Sequence, residues 1–219
     1  MEYLSIDDKL LFLEHKRWAE GFCFVGGVDE AGRGPLAGPV VAAAVVFPLN
    51  ARIPAVNDSK QLTEAQRIEL RQAILEVPGV QYGIAVVSVE KIDEINILQA
   101  SRLAMRQAVS QLKELDFLLI DGLPVPDMPV PCEAIVKGDA KSASIAAASI
   151  LAKVHRDELM VELSRLYPQY GFEQHKGYGT EQHLAALKTC GVCAIHRRSF
   201  APVRDIISPP PEQLNLFEQ

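Results

Sequence analysis

Four acidic residues stand at or just beyond the ends of apolar segments, where folding alone has little use for an acid. They are Asp29, Glu30, Asp121 and Asp139. Any one of them could be an ordinary loop residue or a helix N-cap. If the preceding segments are neighbouring strands, however, the four carboxylates meet at one end of a sheet. Like charges about 4 Å apart repel by several kcal/mol at a reduced dielectric, so such a cluster requires cations.

The chemistry that this cluster favours is metal-dependent. Oxygen ligands without histidine or cysteine prefer Mg²⁺ or Mn²⁺ to zinc. Two such ions about 4 Å apart suit phosphoryl transfer, because one activates a water and the other stabilises the leaving oxygen. The sequence contains no Walker A loop, no GxGxxG and no Ser-His-Asp arrangement that would compete for this role.

The Gly32-Arg33-Gly34 turn follows directly on the first acid pair. Adjacent residues of a regular strand point to opposite faces, so Asp29 and Glu30 can share a site only if the strand ends or bulges there. Glycine permits such a change of direction. It also leaves the backbone open to a substrate, although a plain turn is an equally good interpretation.

The elements that must position these residues follow from apolar periodicity and turn signals. Strands are predicted over about 23–28, 40–47, 80–89, 116–120 and 133–137, and helices over about 5–21, 63–77, 97–112 and 143–166. The short link between the first two strands predicts an antiparallel hairpin, and Thr63 with Gln66 predicts a capping box. The order of elements indicates an α/β fold, with a five-stranded mixed sheet flanked by helices.

The chain is expected to form one domain over residues 1–205, with a helical C-terminal extension over about 158–205 and a flexible proline-rich tail over 206–219. Its 219 residues are 48% hydrophobic and 23% charged, which excludes a disordered or fibrous protein. No apolar run reaches the ~20 residues of a membrane span. The acidic start lacks the basic flank of a secretory signal, so a cytoplasmic protein is expected.

The charge and the cysteines add two expectations. The net charge is −6, yet residues 174–204 carry five lysines and arginines against one acid. Such a local excess can form a basic stripe that holds a phosphate backbone. The four cysteines are too few for a disulfide framework, and Cys190 and Cys193 are expected to be ordinary reduced thiols.

Six segments, taken in order, resemble the motifs of the type 2 ribonucleases H, specifically bacterial ribonuclease HII. They are GVDEAGRGP (27–35), DSKQL (58–62), IDG (120–122), KGDAKS (137–142), HKGYG (175–179) and HRRSF (196–200). Each is weak alone, but the ordered set is highly specific. The resemblance covers about residues 20–205.

This resemblance implies an RNase H-like fold and hydrolysis of the RNA strand of RNA–DNA hybrids. It also implies cleavage 5′ of single ribonucleotides in duplex DNA, leaving 5′-phosphate and 3′-hydroxyl ends. It makes Asp29, Glu30, Asp121 and Asp139 the catalytic ligands of Mn²⁺ or Mg²⁺. It assigns Gly32, Arg33 and Gly34 to the ribose 2′-OH, Tyr178 to the next sugar and Lys60 to a phosphate.

Three further residues are interpreted beside those motifs. Arg197 and Arg198 are phosphate contacts or, equally well, part of a solvated face or helix-end charges. Asp157 is expected to be structural, because it lies several turns along the helix that follows Asp139.

The tail resembles peptides that dock into the bacterial replication sliding clamp, through Gln213, Leu214, Leu216 and Phe217. Three prolines would act as a semi-rigid spacer, although a frayed terminus is the alternative. A monomer is expected. Two other functions stay open: another nuclease of the same architecture, such as a junction resolvase or exonuclease, and a non-catalytic adaptor that binds the clamp.

Overall fold

A computed structural model describes residues 10–49, 51–54 and 62–209. The strands are β1 (Val25–Ala31), β2 (Val40–Val46), β3 (Gln81–Val87), β4 (Phe117–Asp121) and β5 (Cys132–Ile135). The helices are α1 (Phe12–Ala19), α2 (Glu64–Leu75), α3 (Val89–Val109), α4 (Ala143–Leu166), α5 (Phe172–His175), α6 (Glu181–Cys190) and α7 (Ala201–Ile207). Short 3₁₀ helices cover Gly138–Ala140 and Pro168–Tyr170.

The five strands form one mixed sheet in the order β3-β2-β1-β4-β5. β1 and β2 pair antiparallel, as do β2 and β3, whereas β4 runs parallel to both β1 and β5. The predicted hairpin and the predicted five-stranded mixed sheet are therefore confirmed. The carboxyl ends of β1 and β4 lie side by side in the centre of the sheet.

Helices cover both faces of the sheet. Every residue of β2 is buried, because its side chains pack alternately against α3 on one face and against α4 with α2 on the other. A strand covered on both sides needs apolar residues throughout. This requirement explains the uninterrupted run of valine and alanine in residues 40–46.

The first half of α4 lies directly on β1. A Cβ atom added at Gly27 would stand 2.2 Å from the backbone nitrogen of Ile145, so only glycine allows this approach. The alanines and serines of α4 are small for the same reason. The buried Glu14 of α1 accepts hydrogen bonds from both hydroxyls of Ser142 and Ser144, each at 2.6 Å, and thereby holds the start of α4.

Several predicted boundaries differ from the observed ones. The predicted third helix starts eight residues early, at Val89, because Ser88 caps it, and a kink at Asn96 (φ 65°) interrupts it. α4 matches its prediction, and Thr63 with Gln66 forms the predicted capping box. Within the described part of the chain, we find no helix that combines the length and the apolar character of a membrane crossing.

Candidate active site

Asp29 and Asp121 occupy neighbouring positions on two parallel strands. Val28 of β1 pairs with Ile120 of β4, and both of these side chains pack on the α3 face. Side chains alternate along a strand, so the next residues, Asp29 and Asp121, both face α4. The ends of two central strands thus bring together carboxylates that lie 92 positions apart in the chain.

Asp139 reaches the same place through a tight connection after β5. The Asp121 carboxylate accepts a hydrogen bond from the Gly138 backbone N–H at 2.6 Å. A Cβ at Gly138 would lie 3.2 Å from that carboxylate and 2.6 Å from Ile145, so a larger residue could not take this position without a shift of its neighbours. The 3₁₀ turn that follows buries Asp139.

Glu30 reaches the site without a bulge. The ladder between β1 and β2 is regular through Ala31. β1 ends one residue after Glu30, and its pairing with β4 stops at Val28, so the side chain of Glu30 lies at an open end of the sheet. Of the two sequence-based possibilities, the ending strand is the observed one. The Arg33 guanidinium donates to Glu30 at 3.2 Å.

All four acids line one cavity of about 520 Å³, which confirms the prediction that they meet at one end of the sheet. The cavity is lined by Asp29, Glu30, Ala31, Gly32, Arg33, Gly34, Arg67, Asp121, Asp139, Ser149, Lys153 and Tyr178. We call the four carboxylates the acidic wall, and residues 32–34 with Tyr178 the main-chain wall. Among the residues that the structure describes, no three His, Cys, Asp or Glu side chains form a ready-made metal cluster. The acidic wall borders the open space of this cavity.

Burial and neighbouring carboxylates disfavour the ionised forms of Asp29 and Glu30 in the acidic wall. Burial raises the pKa of Asp29 well above its ordinary value, and the nearby charges of Glu30 and Asp121 raise it further. A hydrogen bond with Ser149 opposes this shift. Burial also raises the pKa of Glu30, while Arg33 lowers it. Crowded carboxylates of this kind are stabilised as anions by a bound cation.

This donor set fits Mg²⁺ or Mn²⁺. Carboxylate oxygens are the hard ligands that both ions prefer. The two central strands fix Asp29 and Asp121, which would be the core of such a site, and Glu30 and Asp139 flank them.

The main-chain wall combines bare backbone with an exposed aromatic ring. Tyr178 is 41% exposed, and a Cβ at Gly34 would lie 3.7 Å from its ring. The Gly177 carbonyl accepts a hydrogen bond from the Leu36 N–H at 2.8 Å. The segment that carries Tyr178 is therefore held beside the glycine turn.

A relay of hydrogen bonds between buried histidines supports Tyr178. The Cys193 N–H donates to His196 Nδ1 at 3.0 Å, and the Nε2 atoms of His196 and His183 lie 3.0 Å apart. His183 Nδ1 lies 2.9 Å from the Tyr178 carbonyl. These contacts are all satisfied when both rings are neutral, with His196 donating to His183 and His183 donating to Tyr178.

Sequence reasoning missed the three other polar residues of the cavity, namely Arg67, Ser149 and Lys153. Ser149 and Lys153 are four residues apart on α4 and so share one of its faces. Because this helix begins four residues after Asp139, at Ala143, the spacing of Ser149 and Lys153 could have predicted that they lie near the acids. Arg67 lies on α2, and nothing in the sequence of this helix predicts that Arg67 reaches the cavity.

Asp157 does not line the cavity, but it contacts two cationic residues that do. Its buried carboxylate accepts from Lys153 at 2.6 Å and lies 4.0 Å from Arg67. Asp157 therefore acts on the cavity through Lys153 and Arg67.

The interpretation of Arg197 as a phosphate contact or a solvated residue is wrong. Arg197 is fully buried, and its guanidinium donates to backbone carbonyls. Lys176 is also buried, so two of the five cations of the predicted basic stripe are withdrawn from the surface. Arg198 is exposed, and its N–H donates to Asp93 at 2.9 Å.

Two groups of predicted residues lie outside the described ranges. These are Lys60 and the tail residues Gln213, Leu214, Leu216 and Phe217. All four cysteines are free thiols, as predicted for Cys190 and Cys193.

Comparison with known proteins agrees with the geometry. The family model described as Ribonuclease HII matches residues 26–203. The chain is 55% identical to ribonuclease HII of Chlamydia caviae over 213 residues, covering 94% of this chain and 100% of that protein. Ribonuclease HII of Desulfitobacterium hafniense is 54% identical over 198 residues, covering 90% of this chain and 76% of the relative.

Two solved structures share the fold. The ribonuclease H2 of Pyrococcus horikoshii aligns with a TM-score of 0.67 and 28% identity, over 84% of this chain and 96% of that one. A complex of PCNA with RNase HII from Archaeoglobus fulgidus aligns with a TM-score of 0.70 and 26% identity, over 81% and 95%. The described part of the chain thus has an RNase H-like fold. Together, these matches show that the chain belongs to the ribonuclease HII family and is a ribonuclease H, a hydrolase that acts on RNA–DNA hybrids.

Proposed function

We propose that this enzyme cuts on the 5′ side of single ribonucleotides embedded in duplex DNA, as well as within longer RNA–DNA hybrids. The products would carry 5′-phosphate and 3′-hydroxyl ends. The observation that carries this proposal is the shared cavity, in which the acidic wall faces the bare backbone of residues 32–34 beside Tyr178. The proposed cleavage groups and the proposed sensor for the sugar would thus border the same space.

Asp29, Glu30, Asp121 and Asp139 would hold Mg²⁺ or Mn²⁺. When bound, two such ions would turn water into a nucleophile and stabilise the leaving oxygen of an in-line displacement. The protein's own contribution is to fix the carboxylates before the substrate arrives. The two paired strand ends and the Gly138 N–H restrain Asp29 and Asp121 in this way, and such pre-organisation lowers the reorganisation needed during reaction.

The 2′-OH would be recognised at the glycine turn. This hydroxyl is the one group that distinguishes RNA from DNA at a given site, and it both donates and accepts hydrogen bonds. Gly32, Arg33 and Gly34 can offer backbone partners at close range because the two glycines carry no side chain. The exposed Tyr178 ring would lie against the sugar of the next nucleotide and sense the junction between RNA and DNA.

Phosphates flanking the cut would meet cations around the cavity. Lys60 and Arg198 are proposed as phosphate contacts, the first from the motif that contains it and the second from its exposed position. Arg67 and Lys153 line the cavity itself. Contacts of this kind fix the register of a duplex without reading its sequence.

The C-terminal tail is proposed to bind the replication sliding clamp through Gln213, Leu214, Leu216 and Phe217. The Archaeoglobus fulgidus relative forms a complex with PCNA. The predicted boundary between a catalytic domain (1–205) and a flexible tail (206–219) falls inside α7, which runs to Ile207, so we propose that the tail begins beyond this helix. Deleting residues 212–219 should then abolish capture by the clamp without changing hydrolysis, and unchanged capture would refute this role.

One cleavage assay tests the proposed function. A labelled duplex with a single ribonucleotide is compared with the same duplex made entirely of DNA, each with Mg²⁺ or Mn²⁺ and with EDTA. We expect one cut, 5′ of the ribonucleotide, that EDTA prevents. Cutting of both duplexes would instead indicate a DNA nuclease, and metal-independent binding without any cut would indicate an adaptor.

A further inference from the structure

Two fully buried arginines lie behind the glycine turn. Arg156 and Arg197 are at most 1% exposed, which is unusual because a buried guanidinium must replace all of its hydration. Burial lowers the pKa of both residues, that of Arg197 to about 9. Because burying a guanidinium costs free energy, we expect each of these two arginines to bind a specific set of hydrogen-bond acceptors.

The acceptors of Arg197 are the carbonyls of the turn that borders the cavity. Its Nη2 donates to the Gly32 carbonyl at 2.6 Å, and its Nη1 donates to the Arg33 carbonyl at 2.9 Å. Its Nε donates to the Gly38 carbonyl at 3.0 Å. One rigid guanidinium fork therefore joins the turn to the residues that lead into β2.

Arg156 joins the same residues to the segment that carries Tyr178. It donates to the carbonyls of Ala37, Pro39 and Lys176 at 3.0–3.1 Å. Its guanidinium also lies 5.9 Å from the centre of the Tyr178 ring. The two arginines thus fix the turn and Tyr178 to a common base.

Two glycines are fitted against this base, one against a guanidinium and one against a backbone carbonyl that Arg156 binds. Gly32 has φ +94°, and a Cβ there would stand 2.1 Å from Nε of Arg156. At Gly177, which precedes Tyr178, a Cβ would stand 2.5 Å from the Ala37 carbonyl. The shape of the main-chain wall therefore depends on the arginines that it packs against.

The hydrogen bonds of Arg197 also set the direction of two backbone donors. In a planar trans peptide, the C=O of one residue and the N–H of the next point in opposite directions. Because the carbonyls of Gly32 and Arg33 point inward to Arg197, the N–H groups of Arg33 and Gly34 point away from it. Arg33 and Gly34 both line the cavity, so these two donors can serve an oxygen bound there.

We propose that Arg197, assisted by Arg156, is the positioning residue for ribonucleotide selectivity. It would do so by turning two backbone N–H donors toward the substrate sugar and holding them at a fixed distance from Tyr178. Neither arginine would touch the substrate. This inference rests on the proposed function, because it concerns how that site senses the 2′-OH.

The test measures binding to two duplexes that differ by one 2′-OH, with Asp121→Asn in every protein so that cleavage does not intervene. Arg197→Lys keeps the charge but loses the planar fork. We expect its preference for the ribonucleotide duplex to fall about tenfold, which corresponds to the loss of about one hydrogen bond to the 2′-OH. Binding to the all-DNA duplex should stay unchanged. Arg204→Lys, an exposed position (60% of its side chain), should match the parent on both duplexes.

The outcomes separate the two claims. No preference in the parent protein would overturn the proposed function itself. A clear preference in the parent that Arg197→Lys retains, or an equal loss on both duplexes, would overturn only the positioning role. Circular dichroism checks the fold. If Arg197→Lys does not fold, Arg156→Lys is tested instead. Its preference for the ribonucleotide duplex should fall about threefold, a smaller loss, because Arg156 binds carbonyls outside the glycine turn. Full preference in that variant would likewise overturn the inference.

Discussion

The acidic wall of the cavity consists of side chains at strand ends, whereas the main-chain wall consists of backbone and one aromatic ring. β1 and β4, in the centre of the sheet, hold the acidic wall. Buried arginines and histidines from the C-terminal third of the chain hold the main-chain wall. A carboxylate is positioned by the rigid end of the strand that carries it. A backbone N–H donor is positioned only when other residues bind the carbonyls of the same segment. The three predictions below test this difference, from the largest expected effect to the smallest.

The largest effect should come from the acidic wall. Asp121→Asn keeps the shape of the side chain but removes a charge from the proposed metal site. Cleavage of a single-ribonucleotide duplex should fall by about three orders of magnitude, as for loss of a principal electrostatic group. Hybrid binding should change little, because it depends mainly on phosphate contacts.

Quenched-flow cleavage and filter binding measure these two quantities. Asp205→Asn, whose side chain is 51% exposed on α7, is the matched control and should cleave at the parent rate. A fully active Asp121→Asn enzyme would remove this carboxylate from the mechanism.

The packing that supports the acidic wall should be sensitive to one methyl group. Gly27→Ala would place a Cβ 2.2 Å from the Ile145 nitrogen, and a helix backbone cannot yield as a side chain can. We expect the free energy of unfolding in urea to fall by about 3 kcal/mol. In Gly34→Ala the added Cβ meets only an ordinary contact at 3.7 Å, so its stability should be within about 0.5 kcal/mol of the parent. Equal stabilities for both variants would contradict the close packing of α4 on β1.

The support of the main-chain wall should be sensitive to acid. Burial and the neighbouring His183 lower the pKa of His196 to about 4, while the unfolded state has a histidine pKa near 6.5. Between these values the unfolded state binds the extra proton, so stability is complete above about pH 6.5 and is lost as the pH falls toward 4. From pH 7 to pH 5 this group should remove about 2 kcal/mol.

Urea unfolding at both pH values isolates this contribution when the parent is compared with His196→Asn. The raised pKa values of Asp29 and Glu30 act in the opposite direction, but they are common to both proteins and cancel in the comparison. The same pH dependence in His196→Asn and the parent would exclude the histidine relay as its source.

The acidic wall was predictable from sequence because its signals are local. Asp29 and Asp121 each follow an apolar run, but their meeting was predicted only on the condition that the two strands are neighbours, which the observed strand order supplies. The main-chain wall was only partly predictable. The motif resemblance pointed to the glycine turn and to Tyr178, but it did not show what fixes them.

Arg197 illustrates why the remainder could not be predicted. In sequence it belongs to a basic segment that resembles a solvated face, yet its acceptor Gly38 lies 159 residues away. Burial of a cation among backbone carbonyls leaves no periodicity and no local pattern. The sequence also could not decide whether the strand ends or bulges at Glu30. The answer depends on the pairing of β1 with β4, which stops at Val28 while the ladder with β2 stays regular.

The most direct test of the central claim is a titration of Mn²⁺ followed by electron paramagnetic resonance, without nucleic acid. The parent protein should bind Mn²⁺, and Asp29→Asn combined with Asp121→Asn should weaken that binding at least about a hundredfold, because the two central ligands are lost. Asp205→Asn should bind as the parent does. Equal Mn²⁺ binding by the parent and the double variant would contradict a metal site at the shared end of β1 and β4.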